Sequence, residues 1–179
     1  MMKNVVLVVT GSRHHQDKDL IHKHLDQALL TAKLRDGALI LLEGGAQGAD
    51  RIAQDWAKAN SVAHVCVKPD WQKYGKAAGM IRNQAMVDKA VNLAKEYDSD
   101  FLFGLAFPLK ESKGTWDCIR RMNKARFTVR IVKPEEEEAA RRTARRSRCP
   151  APAARTARPR PTRGRKRGSL RSRTALTVS

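Results

Sequence analysis

The chain has 179 residues, 41% of them hydrophobic, which is enough for one globular core with some chain left over. It carries 36 Lys/Arg against 18 Asp/Glu, a formal net charge of +18, so acidic partners such as nucleic acid come into view. Three scattered cysteines, Cys66, Cys118 and Cys149, argue against a disulfide framework or a zinc site and fit a reducing compartment.

Residues 4–9, NVVLVV, read as a buried strand. The run is too short to span a membrane and no signal-peptide cleavage pattern follows, so a cytoplasmic protein without membrane contact is expected. From Asp17 to Leu34, the residues Leu20, Ile21, Leu25, Leu29 and Ala32 recur at helical spacing. Asp17 and Asp19 stand at that helix start, where carboxylates are favourable without any catalytic role. Residues 38–42, ALILL, form a second strand. Ala49, Ile52, Ala53, Trp56 and Ala57 then share one helix face. A third strand is expected over 62–67, and a long helix over 76–97 with Ala78, Ile81, Ala85, Val87 and Leu93 buried. A fourth strand over 100–107, a helix over 115–125 and a fifth strand over 127–132 complete the pattern.

Strands alternating with helices imply right-handed βαβ units and an open parallel sheet of about five strands with helices on both faces. The apolar strands lack alternation, which predicts burial on both faces. Ligands of such sheets bind at the carboxyl ends of the strands, near a topological switch point. The folded domain is expected over residues 1–134. Residues 135–179 hold fourteen Lys/Arg against four Glu and are rich in Pro and Ala from Cys149 onward. That composition predicts a disordered basic tail with affinity for nucleic-acid phosphates, and no aromatic residue in it to stack on bases.

Two loops carry the strongest functional signal. VVTGSR, residues 8–13, follows the first strand, and EGGAQGAD, residues 43–50, follows the second. Small residues between a strand and a helix let backbone amides approach an anion, and the helix N-terminus favours negative charge. Gly11, Ser12, Arg13, Gly44, Gly45, Gly48 and Asp50 are therefore candidate ligand contacts. Neither loop is a Walker A or a GxGxxG fingerprint. After the third strand, Trp71 could cap the core or stack on a base or ribose, and Arg82 with Asn83 could hold a phosphate or serve structure by pairing with an acid. Lys113, Gly114 and Thr115 bring a third set of amides to the same edge, with Thr115 as a candidate N-cap. The five histidines show no metal-ligand spacing, so no metal is expected, and His14 and His15 read as solvated loop residues. Cys118 lacks an evident base partner and reads as a small buried residue.

In order and spacing, VTGSR, EGGAQGADRIAQDWA, PDWQKYGKAAGMIRNQAM and AFPLKESKGTWD resemble the YspA-like (cpYpsA-related) branch of the SLOG superfamily over roughly residues 4–132. The resemblance implies a Rossmann-like fold and a nucleotide-related ligand of the AMP, NAD or ADP-ribose class. It brings two alternatives with it: a LOG-like phosphoribohydrolase and a DprA-like DNA-binding protein. It also implies a homodimer. The chain departs from the LOG pattern at Pro108-Leu109-Lys110, where LOG enzymes carry a glycine-rich run. It departs again at Cys118, where they carry a catalytic glutamate. Asp117 and Asp50 are the remaining candidate catalytic carboxylates.

Overall fold

The computed structural model describes residues 4–134 and residue 139. The expected tail, with Cys149, lies outside the described residues. The elements are β1 (Val5–Gly11), α1 (Lys18–Leu34), β2 (Leu39–Glu43), α2 (Ala49–Ala59), β3 (Ala63–Cys66), α3 (Trp71–Tyr74), α4 (Ala78–Glu96), β4 (Phe101–Phe107), α5 (Lys113–Lys124) and β5 (Thr128–Ile131). A 3-10 turn over Gly75–Ala77 joins α3 to α4. No helix among the described residues is long and apolar enough to cross a membrane.

All five strands are parallel, in the order β3-β2-β1-β4-β5. This is the Rossmann-like arrangement. The chain winds outward from β1 to β3, then crosses back to place β4 on the other side of β1. Val5 pairs with Leu39 on one side and with Phe101 on the other. The switch point therefore falls between the carboxyl ends of β1 and β4, where the following loops diverge.

Side-chain alternation along β1 divides the core in two. Val5, Leu7 and Val9 pack with Leu20, Ile21 and Leu25 of α1 and Ile52, Ala53 and Trp56 of α2. Val6 and Val8 pack with Met86, Val87 and Ala90 of α4 and Cys118, Ile119 and Met122 of α5. Asp17 caps α1 by accepting from the Leu20 amide at 2.9 Å. The indole of Trp56 donates to Asp26 at 2.9 Å and ties α2 to α1.

Four local expectations need correction. β3 and β5 are not buried on both faces. They are edge strands with one neighbour each, and their residues are exposed or half-buried. The segment 76–97 opens within the 3-10 turn Gly75–Ala77 that follows α3, and α4 itself starts at Ala78 and ends at Glu96. Within α4, Ile81 and Ala85 are exposed, Leu93 is half-buried, and Asn83, Met86, Ala90 and Ala94 fill the inner face with Ala78 and Val87. α5 starts at Lys113, with Ser112 rather than Thr115 at the cap position. The Ser112 carbonyl accepts from the Trp116 amide at 3.1 Å, which opens the helix earlier than the glycine suggests.

Candidate functional site

The loops after β1, β2 and β4 meet as a cleft of about 370 Å³ at the switch point. The β1 loop contributes Gly11, Ser12 and Arg13, and the start of α5 contributes Lys113, Gly114 and Thr115. Trp71 stands at the mouth from α3, while Arg82 and Asn83 reach in from α4 and Asp50 from α2. A second recess lies beside it, lined by Gly44, Gly45, Gln47 and Pro69. Arg13, Trp71, Ala46 and Arg82 line both and so form the divider. Gly48 lines neither, and Asp117 is likewise absent from both walls.

The divider is organised from below by Asp50. Its carboxylate lies in the first turn of α2, almost fully buried. Oδ2 accepts from the Gly44 amide at 3.2 Å, the Ala46 amide at 3.3 Å and the Arg82 guanidinium at 3.4 Å. Burial pushes the Asp50 carboxyl up to about 6, Arg82 opposes the rise, and Glu43 adds to it. Glu43, buried at the end of β2, accepts from the Gly45 amide at 2.6 Å and the Gln54 side chain at 3.4 Å. The two acids fold the β2 loop over themselves through its own amides. Much of the EGGAQGAD stretch is thus bound internally.

The glycines serve this packing. Any Cβ on Gly44 would occupy the place of the Arg82 guanidinium. Gly48 has φ +73°, and a Cβ there would strike the Ser12 carbonyl oxygen. With the Ala49 amide donating to that same carbonyl at 3.3 Å, Gly48 locks the β2 loop to the β1 loop.

The opposite wall is open. α5 begins without a side-chain cap; the Lys113 amide is taken by the Glu111 carbonyl at 2.9 Å, which leaves the amides of Gly114 and Thr115, residues that line the cleft, as its open first-turn donors. Asn83 holds this helix start in place, donating to the Gly114 carbonyl and the Asp117 carboxylate, both at 3.1 Å. Asp117 also accepts from Arg121 at 2.8 Å and Arg120 at 3.4 Å. Burial would raise its carboxyl, but the donors Arg121, Asn83 and Arg120 outweigh that and hold it below the usual range. Asp117 is therefore a clamp between α4 and α5 and not an acid facing the cleft.

Trp71 does not cap the core. It is 48% exposed, and the Arg13 guanidinium lies over its ring at 5.8 Å from the centroid. Thr115 is buried and lines the cleft. His14 is exposed in the cleft wall, but His15 is buried edge-on against Phe107. Burial lowers its imidazole pKa, with Asp17 opposing. The aromatic surface of Phe107 at the end of β4 draws that ring out of solvent. Burial pushes the Cys118 thiol up to about 11, which leaves it protonated and unfit as a nucleophile. No group of three or more His, Cys, Asp or Glu among the described residues is placed to hold a metal ion.

Sequence reasoning missed Lys76, Met80 and Glu111, all of which line the cleft. Lys76 and Met80 lie within the PDWQKYGKAAGMIRNQAM stretch, but nothing local separates them from its structural residues. Glu111, the nearest exposed acid before α5, could have been found only by asking which carboxylate precedes the Lys113-Gly114-Thr115 turn.

A family model, YAcAr (YspA, cpYpsA-related SLOG family), matches residues 5–74, which span β1 through α3 and hold both glycine loops. The Gene 61 protein of Mycobacterium phage D29 is 33% identical over 128 residues, covering 69% of this chain and 92% of that protein. No solved structure gives a significant match. The chain belongs to the YspA, cpYpsA-related SLOG family.

Proposed function

We propose that the cleft binds a nucleotide or nucleotide-derived ligand, with its phosphate against the first turn of α5 and its base on Trp71. The carrying observation is convergence. Uncapped helix amides at Gly114 and Thr115, the cations Arg13, Lys76, Arg82 and Lys113, and an exposed indole surround one cavity at the sheet's switch point. Oriented amides and cations suit a phosphate, and an exposed indole suits a base. Membership of a SLOG family supports nucleotide-related binding at this coarse level. A volume of about 370 Å³ is at the small end of ligand pockets, about 300–1,000 Å³, and favours one mononucleotide unit over a whole dinucleotide. Segment 135–179, with its fourteen Lys/Arg, adds salt-sensitive affinity for nucleic-acid phosphates.

Calorimetry of the full chain against AMP, ADP-ribose and NAD tests the reading. Binding of at least one, weakened by Arg13→Ala, is expected. No heat from any of the three would count heavily against it. Removing residues 135–179 should lower single-strand DNA affinity and flatten its salt dependence. Undiminished affinity would transfer DNA binding to the folded domain, as a DprA-like role requires.

One observation favours a second reading, a LOG-like phosphoribohydrolase. N-glycosidic cleavage needs a carboxylate near the developing oxocarbenium charge. Asp117 is engaged by Arg121, Asn83 and Arg120, and Asp50 Oδ2 by three donors. Glu111 is an exposed carboxylate in the cleft wall. Free base released from nucleoside monophosphates, and lost in Glu111→Gln, would establish hydrolysis. Release that persists in that variant would exclude Glu111.

A further inference from the structure

Between Pro69 and Ala78 the chain leaves the core. Pro69 is half-buried and Ala78 is buried, but all eight residues from Asp70 to Ala77 are exposed. The stretch is ordered by its own bonds. The Asp70 carboxylate accepts from the Lys73 amide at 2.9 Å, and the Asp70 carbonyl from the Tyr74 amide at 3.1 Å. The Gly75 amide closes the turn on the Trp71 carbonyl. Packing adds little, since neither α3 nor the 3-10 turn buries a side chain and α3 rests chiefly on that turn and on α4. Gly75 supplies the bend. Its φ is +49°, and a Cβ there would meet no atom within 4 Å, so no neighbour imposes the turn as Ser12 does at Gly48. An element held this lightly belongs to the low-stability end of a fold, where lids are found.

We propose that Asp70–Tyr74 is a lid that closes over the cleft when the ligand enters, bending at Gly75 and carrying the Trp71 indole onto the base. This rests on the nucleotide reading above and adds a movement to it. Trp71 has room to move, because it lines both the cleft and the second recess, each of about 370 Å³. The ties on its ring are light. Arg13 stands 5.8 Å from the ring centroid, and a Cβ on Gly79 would stand 3.6 Å from the ring edge. A cation over an exposed ring is a weak contact, and an anion in the cleft competes for the same guanidinium. Binding a phosphate therefore loosens the hold on Trp71 while offering the indole a base to stack on. Lys73 and Lys76, both exposed, favour the approach of this stretch to an anionic ligand.

Amide hydrogen exchange of the full 179-residue chain, free and with AMP, ADP-ribose or NAD, tests this beside calorimetry of the same samples. In the free chain the Lys73, Tyr74 and Gly75 amides should exchange about 100-fold or more faster than those of Val87 and Ala90 on the buried face of α4. Lys73, Tyr74 and Gly75 line neither cavity, so their protection reports the lid and not ligand contact. A ligand that gives heat should slow them about tenfold or more. In Trp71→Ala, at ligand concentrations that still saturate it, the slowing should vanish. Free-chain exchange as slow as in α4, binding heat without slowing, or slowing that persists in Trp71→Ala would each overturn the lid and leave the nucleotide reading standing wherever heat is seen. No heat from any of the three ligands would bring down that reading and the lid with it.

Discussion

On one side of the cleft, Asp50 and Glu43 are buried and accept from the amides of Gly44, Gly45 and Ala46, and the half-buried Arg82 donates to Asp50. On the other, Lys113, Gly114 and Trp71 are exposed, and the first turn of α5 has no side-chain cap. The glycine-rich side holds position; the open side is free to touch a ligand. Glycine content alone does not separate these roles. Most of the glycines serve loop-to-loop packing, and the open amides belong to α5.

Substitutions on the two sides should therefore fail differently. The largest effect is expected for Asp50→Ala. It leaves the Gly44 and Ala46 amides unpaired and a mostly buried Arg82 without its acid, at a cost of about 3–5 kcal/mol of stability by urea denaturation. Asp50→Asn keeps an acceptor and should lose less. Gly48→Ala comes next, with about 2–3 kcal/mol lost to positive φ and to collision with the Ser12 carbonyl. A Gly48→Ala protein as stable as its parent would remove the lock between the two loops.

Trp71→Ala should act in the opposite sense. Stability should stay within about 0.5 kcal/mol, because the indole is exposed, while nucleotide affinity falls by about 1–3 kcal/mol. A large stability loss with unchanged affinity would reverse the assigned roles.

The smallest effect is on pH dependence. As pH falls through about 6, Asp50 takes up a proton and the site gains one positive charge. Anion affinity should rise roughly two- to fivefold between about pH 7 and pH 5.5, measured with ADP-ribose, whose diphosphate does not titrate there. Asp50→Asn should flatten the profile. For stability, the folded carboxyl lies above its unfolded value. Ionising Asp50 therefore destabilises the fold increasingly as pH rises from about 4 through about 6, and no further above that.

The parallel sheet and the α2 face were legible because β-branched runs and helical spacing report burial directly. α4 was less so, because apolar residues occur on both of its sides. Periodicity placed Ile81 and Ala85 inward and missed Asn83, which is buried because the Gly114 carbonyl and Asp117 satisfy it. The loops were found by composition, but their chemistry depends on pairs distant in sequence. Asp50 meets Arg82 across 32 positions, and Asn83 meets Asp117 across 34. Nothing local marks either partnership. By residue type alone Trp71 fits either the core or a stacking role, and only the fold shows it standing exposed at the cleft mouth.

The most direct test of the central claim is amide chemical-shift mapping of the full chain during AMP titration. The largest shifts are predicted at Ser12, Arg13, Gly114 and Thr115, with a shift at the Trp71 indole and none along β3 or β5. Absence of shifts at saturating AMP, or shifts confined to the sheet edges, would contradict a nucleotide site at the β1–β4 switch point.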